Sequence, residues 1–197
     1  MLRAALFPLM MLVGAPEARA DITELQLSLR PEFVLVNRHG NLNHGLGLGA
    51  RAAYGLSDLV AAEASVGCNR LGSIRQGGVE IDRRTGSVFY DATRCTVGPS
   101  AALRFGARFV GTLALGLAYR WEHDSTRDFV SANNVLLEHL GTTNHHALVA
   151  TSRLSFEFRP WDSLAAGLEL GGQTAVVGAA PELDLSIALT VSFLMYP

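Results

Sequence analysis

The sequence predicts an all-β chain that closes into an eight-stranded antiparallel transmembrane β-barrel, with short turns at one end and longer loops at the other. Three observations carry this expectation. Apolar and polar residues alternate with a period of two along most of the chain after residue 20. No run of about 18 apolar residues follows that point, which excludes a membrane helix, whereas a membrane strand needs only about 9–11 alternating residues. The connections between alternating segments are short and long by turns. A formal net charge of -2 supplies no basic field for a phosphate backbone and excludes nucleic acid as a partner.

Residues 1–20 read as a cleaved export signal: Arg3 is the basic start, Ala4 to Val13 the apolar stretch, and Ala18-Arg19-Ala20 the small-x-small cleavage site. An uncleaved anchoring helix is the alternative. No cysteine near the cut suggests a lipid anchor, so residues 21–197 form the expected barrel domain, beginning at Asp21.

The first strand is expected over 24–36, where Leu25, Leu27, Leu29, Phe33 and Leu35 alternate with Gln26, Ser28, Arg30 and Glu32. Pro31 lacks an N–H and marks a bulge or local irregularity. Strands at 43–54 and 59–68 flank the short turn Gly55-Leu56-Ser57-Asp58. Strands at 95–106 and 110–122 flank a turn around Arg108. In the latter, Leu113, Leu115, Leu117, Tyr119 and Trp121 oppose Thr112, Ala114, Gly116, Ala118 and Arg120. Strands at 146–158 and 163–174 flank Arg159-Pro160-Trp161-Asp162. The last, 182–195, sets Leu183, Leu185, Ile187, Leu189, Val191 and Phe193 against Asp184, Ser186, Ala188, Thr190 and Ser192. With both termini at the short-turn end, the connections 37–42, 69–94, 123–145 and 175–181 all fall at the other.

By parity the polar face carries Arg30, Glu32, Arg51, Glu63, Arg104, Arg120, Glu122, Arg153, Glu157, Glu169 and Asp184. Arginines and carboxylates in near balance can compensate one another inside a narrow lumen, which should pack rather than conduct. The apolar face is then lipid-facing. Tyr54, Phe105, Phe156, Phe158, Trp161 and Phe193 lie near the short-turn end and Tyr119 and Trp121 near the other, as two aromatic girdles would. A secreted soluble barrel or β-sandwich also alternates, but would turn its charged face to water.

On these features the chain resembles the bacterial outer-membrane β-barrel proteins, in particular the small eight-stranded OmpA-like and OmpX-like barrels. Tyr54-Gly55-Leu56-Ser57-Asp58 and Phe158-Arg159-Pro160-Trp161-Asp162 look like that family's periplasmic turns. Leu189, Val191, Phe193 and Met195 match its C-terminal recognition signal, except that Pro197 replaces the frequent terminal aromatic. The resemblance implies the outer membrane of a Gram-negative envelope. It also implies contact with outer-membrane lipids and lipopolysaccharide, and passage through periplasmic chaperones and the barrel assembly machinery.

Cys68 and Cys95 bracket the 69–94 connection, and export makes a disulfide clipping that loop credible. Inside it, Gly78-Val79-Glu80-Ile81 and Ser87-Val88-Phe89-Tyr90 predict an outer hairpin about Asp82-Arg83-Arg84-Thr85-Gly86. Loop 123–145, with Val135-Leu136-Leu137, is expected to fold back on the barrel or include a short helix. All six histidines, His39, His44, His123, His139, His145 and His146, fall at the long-loop end, without the spacing of a metal motif. No cofactor is expected.

The main functional expectation is a structural or surface-interaction barrel that presents its loops, with an extracellular ligand not identified by the sequence. The alternative is enzymatic. His123 and Ser125 share a strand face, and with Glu138 would supply a base, a nucleophile and an orienting carboxylate. This resembles the outer-membrane lipid A 3-O-deacylases locally, although Thr126 stands where that family has Asn.

Overall fold

The computed structural model describes residues 24–38, 41–125, 127–178 and 183–196; the predicted export segment 1–20 lies outside the described residues. Among them ten strands form, and eight make the wall: β1 (Leu25–Arg38), β2 (Asn41–Gly55), β3 (Val60–Ile81), β4 (Arg84–Phe105), β5 (Phe109–Asp124), β8 (Thr143–Trp161), β9 (Leu164–Val177) and β10 (Leu183–Met195). Each wall strand pairs antiparallel with the next, and β1 pairs with β10, so the sheet closes on itself. The two remaining strands, β6 (Arg127–Ser131) and β7 (Leu136–Leu140), stand outside the wall.

The strands are steeply tilted. Stepping across the ladder from Gln26 leads through Ala53, Glu63, Ser100, Gly116, Thr151, Gln173 and Asp184 to Val36, ten residues further along β1. A stagger of this size in eight strands gives a barrel whose interior side chains can fill. All eleven charged residues expected inside are buried or half-buried, whereas Leu27, Leu113, Leu115, Leu117, Leu189 and Phe193 point outward and are exposed. An outward apolar surface running round a closed sheet is the geometry of a transmembrane barrel, not of a soluble one.

The short turns form where expected. Leu56 and Ser57 donate their N–H groups to the Val60 carbonyl, and the Ser57 hydroxyl accepts from the Leu59 and Val60 N–H groups. The turn after β4 uses Gly106 at φ 100°, a left-handed conformation that disfavours any side chain. Trp161 pairs with Leu164 across the two-residue turn at Asp162-Ser163.

Three expectations are met in part. The outer hairpin expected within 69–94 forms, but as the continuation of the wall rather than a separate loop: β3 and β4 each run 22 residues and meet at a two-residue turn, Asp82-Arg83, with φ 49° and 63°. Two left-handed residues make the tight turn that follows strand twist. Connection 123–145 folds back on the barrel, the first of its two expected forms, as the β6–β7 hairpin with Phe129 packed into the β1–β3–β4 cluster, and no helix is present among its described residues. At Pro31 the expected irregularity is an interruption of the β1–β10 ladder rather than a bulge, the register being the same at Leu29–Val191 and at Glu32–Ala188.

The left-handed turn suits Asp82 better than Arg83, whose Cβ crowds its own carbonyl there. Arg83→Gly is expected to stabilise the hairpin by about 1 kcal/mol, read as a higher urea midpoint; an unchanged or lower midpoint would contradict this.

Candidate functional site at the outer rim

The lumen is an ionic core. At the short-turn end Glu24 accepts from both terminal nitrogens of Arg159, at 2.8 and 3.0 Å, and from Arg104 at 3.3 Å. Above it, Glu157 accepts from Gln26 and from Arg51 at 3.0 Å. Arg51 also donates to Glu169 at 2.7 Å, and Glu169 is shared with Arg30 and Arg153. Arg153 further binds Glu63. Nearer the outer end Arg94 binds Glu122 at 2.7 Å as well as Asp184, which also accepts from Arg120 at 3.0 Å. Small residues make the room: a Cβ on Gly67 would stand 3.3 Å from a Glu32 carboxylate oxygen. A cavity of about 60 Å³ remains among Arg30, Glu32, Arg51, Glu63, Arg153 and Glu169, space for a few waters.

Above these charges the interior changes character. Val34 and Val36 from β1, Leu71 and Ile74 from β3, Val88, Tyr90 and Ala92 from β4, and Phe129 from β6 form one buried cluster. Val79, Ile81, Leu137 and Leu140 pack against it. This apolar cap crowns the charged lumen and is at the same time the core of a small outer sheet. In that sheet the far half of β3 pairs with β4, Gly86–Phe89 of β4 pair with β6, and β6 pairs with β7. Phe129, 1% exposed, ties sheet to barrel. Phe129→Ala is expected to open this cap locally. The Ser131–Asn134 turn should then be cut faster by protease, while the barrel keeps its heat-dependent gel mobility; unchanged cleavage would show that the cap does not hold the sheet.

The disulfide forms, with a geometry different from a loop clip. Cys68 and Cys95 are direct ladder partners, so the bond is a cross-strand staple on the outward face of the β3–β4 wall, below the outer sheet. Replacing both cysteines with serine should lower stability by about 2 kcal/mol, the low part of the range for disulfides, because the tight Asp82-Arg83 turn already favours hairpin closure in the unfolded chain. Urea unfolding checks this, and an unchanged midpoint would refute it.

The histidines have individual partners. His123 Nδ1 lies 2.8 Å from Asn144 Oδ1, His139 Nδ1 is 2.7 Å from Asp128, His145 Nε2 is 3.0 Å from Asp124, and His146 bonds the Tyr119 hydroxyl. His44 stacks on Phe33; His39 lies outside the described residues. Among the described residues no three His, Cys, Asp or Glu side chains gather as metal ligands. The Ser125 hydroxyl accepts from the Asp91 N–H at 3.0 Å. Glu138 sits on β7 opposite Phe129, which pairs with Val88, whereas His123 pairs with Thr93. Measured along β4, the two rungs are roughly 16 Å apart. The fold therefore holds His123 and Ser125 on one strand end and places Glu138 in the outer sheet.

Sequence reasoning missed Glu24, Arg94, Asp124 and Arg159 as lumen residues, since they lie at or beyond the expected strand ends. It also missed the apolar cap. Parity alone puts Val34 and Val36 on the interior face with Arg30 and Glu32, and that signal was available.

No protein-family model matches the chain, and no curated protein matches it in sequence. Solved structures do match. The outer membrane protein OprG from Pseudomonas aeruginosa aligns with a TM-score of 0.60 at 8% identity, over 92% of this chain and 100% of its own. Neisserial surface protein A gives 0.59 at 9% identity, over 86% and 96%. Ail, the attachment invasion locus protein of Yersinia pestis, gives 0.58 at 13% identity, over 89% and 100%. At such identities the likeness establishes the fold alone, a closed eight-stranded antiparallel β-barrel.

Proposed function

We propose that this protein is a structural and surface-interaction barrel of the outer membrane, which stays closed to solutes and holds a rigid four-stranded sheet outside the lipid. The observation that carries this reading is the outer sheet with its own apolar core, since the barrel closes through the membrane-level β3–β4 ladder without it. Its exposed face carries Arg75 over the Phe89 ring and the His139–Asp128 pair, side chains suited to an extracellular ligand. Outward Leu189, Val191, Phe193 and Met195 on β10 fit a route through periplasmic chaperones and the barrel assembly machinery.

The test compares three strains: one lacking the protein, one with the full chain, and one in which residues 74–89 and 127–140 are replaced by short turns. The shortened barrel should still enter the outer membrane, show heat-dependent gel mobility and sustain detergent resistance of the envelope, while attachment of cells to coated surfaces falls. Equal attachment by the full and shortened forms would sink the presentation role, and normal detergent resistance without the protein would sink the structural one. Lipid A mass spectrometry of the same strains, with Ser125→Ala added, tests hydrolysis: a 3-O-acyl chain lost only with intact Ser125 would replace this reading by the enzymatic one.

A further inference from the structure

The outward face of the β3–β4 wall carries a group that a thiol can open, the Cys68–Cys95 bond. Its two strands pair without a break from Val60–Leu103 to Leu71–Ala92, and the Asp82-Arg83 turn closes the hairpin independently. Opening the bond therefore leaves the ladder in place. Cys68 is exposed and Cys95 half-buried. Exposed disulfides belong to the labile class that thiolates attack, whereas those shut away from solvent resist reduction. The outward rung below is Val66–Val97, both exposed, and the outward rung above is Arg70–Thr93. The sulfurs thus lie where the apolar belt gives way to polar groups, within reach of a dissolved thiol.

The neighbours decide which sulfur reacts. Exchange is an in-line displacement, so the thiolate approaches one sulfur from the side opposite the other. For Cys95 that side belongs to β5, where its ladder partner is Trp121, half-buried and stacked on His123. For Cys68 it belongs to β2, where the partner is Leu48, a smaller side chain. Cys68 is the open sulfur and Cys95 the leaving group. Arg70 follows Cys68 on the same face and is the diagonal neighbour of Cys95. Such neighbours stand roughly 7–8 Å apart, within reach of a long side chain. Arg70 is 77% exposed along its side chain, and the exposed Asp91 at 3.3 Å holds it only weakly. A guanidinium in this place stabilises the departing Cys95 thiolate and draws an anionic thiol toward Cys68.

We propose that the Cys68–Cys95 bond is an exchange site for a small anionic thiol. The thiolate attacks Cys68 Sγ, a new S–S bond forms there as the Cys68–Cys95 bond breaks, and the electron pair leaves on Cys95 Sγ. The product is a mixed disulfide on Cys68 with the Cys95 thiolate beside Arg70. Cys95 reverses the step by attacking Cys68 and expelling the small thiol. A second thiolate that attacks the small thiol's sulfur in the mixed disulfide instead releases the small disulfide, so two thiols are oxidised and both cysteines are left reduced. Either product removes the staple where β3 and β4 enter the outer sheet, while the barrel wall stays closed.

The experiment uses the purified full chain in phosphatidylcholine nanodiscs, incubated with glutathione and quenched with N-ethylmaleimide. Peptide mass spectrometry then reads which cysteine carries glutathione and which carries the maleimide. In chains that keep their heat-dependent mobility, glutathione should be found on Cys68 and maleimide on Cys95. Arg70→Ala should slow the exchange roughly threefold, through a poorer leaving thiolate and a weaker pull on the anion. Arg70→Lys should keep most of the rate, and Arg75→Ala, higher on the hairpin, should leave it unchanged. The Arg70→Ala effect should shrink at high salt and with the neutral thiol 2-mercaptoethanol. Trp121→Ala should move part of the glutathione to Cys95. A folded chain that gains no glutathione while the urea-unfolded chain does would overturn the site. So would equal labelling of the two cysteines in the unaltered chain, or an Arg70→Ala rate equal to that of Arg75→Ala.

Discussion

Arg51→Ala is expected to lower the unfolding free energy of the barrel by about 3–5 kcal/mol, the cost of breaking a buried ion pair from one side. Arg51 spans the lumen between Glu157 and Glu169, and Arg51 is the charged partner described for Glu157. Removing it leaves that buried carboxylate, among the described residues, with Gln26 as its hydrogen-bond partner. The measurement is urea unfolding in lipid vesicles, followed by tryptophan fluorescence. Arg51→Met combined with Glu157→Gln removes both charges and should recover more than half of the loss, because an uncompensated charge costs more than an absent pair. A loss below about 1 kcal/mol for Arg51→Ala would mean that the lumen is wet enough to screen its charges.

Leu115→Arg separates a lipid-facing wall from a water-facing one. Leu115 is 63% exposed in the middle of β5, so in a water-soluble protein an arginine there would be nearly neutral. At the midplane of a bilayer it should cost about 2–4 kcal/mol, read as a lower urea midpoint in vesicles. The same change at Leu42, beyond the belt at the outer end of β2, should cost less than 1 kcal/mol. Equal effects at the two positions would contradict the placement of the belt.

The wall was legible because its faces alternate without interruption: Leu113 to Trp121 outward and Thr112 to Arg120 inward survive intact in β5. The outer hairpin was legible too, but not that it continues β3 and β4 without a break, and the reason is local to β3. Register shifts between Leu71 and Ile74 and between Gly77 and Val79 move the inward face of β3 from odd to even positions and back, so a period-two reading fails there although the strand continues, whereas β4 keeps its even residues inward from Gly86 to Arg94. β6 and β7, five residues each, are too short to show a period. The enzymatic alternative joined His123, Ser125 and Glu138 by closeness in sequence, and only the ladder reveals that Glu138 belongs to another strand pair. The Tyr119–His146 stack was equally hidden, since its rings lie on different strands.

The length of β3 and β4 also sets how the molecule bears load. Both strands run without a break from the short-turn end through the membrane into the outer sheet, and β2 and β5 flank them in the wall. A pull on the sheet from outside is directed along these strands, so the flanking ladders resist by sliding, many hydrogen bonds at once, rather than by unzipping one after another. The Cys68–Cys95 bond stops the two strands from parting where the sheet leaves the wall. What is displayed outside is thereby anchored through the full depth of the membrane.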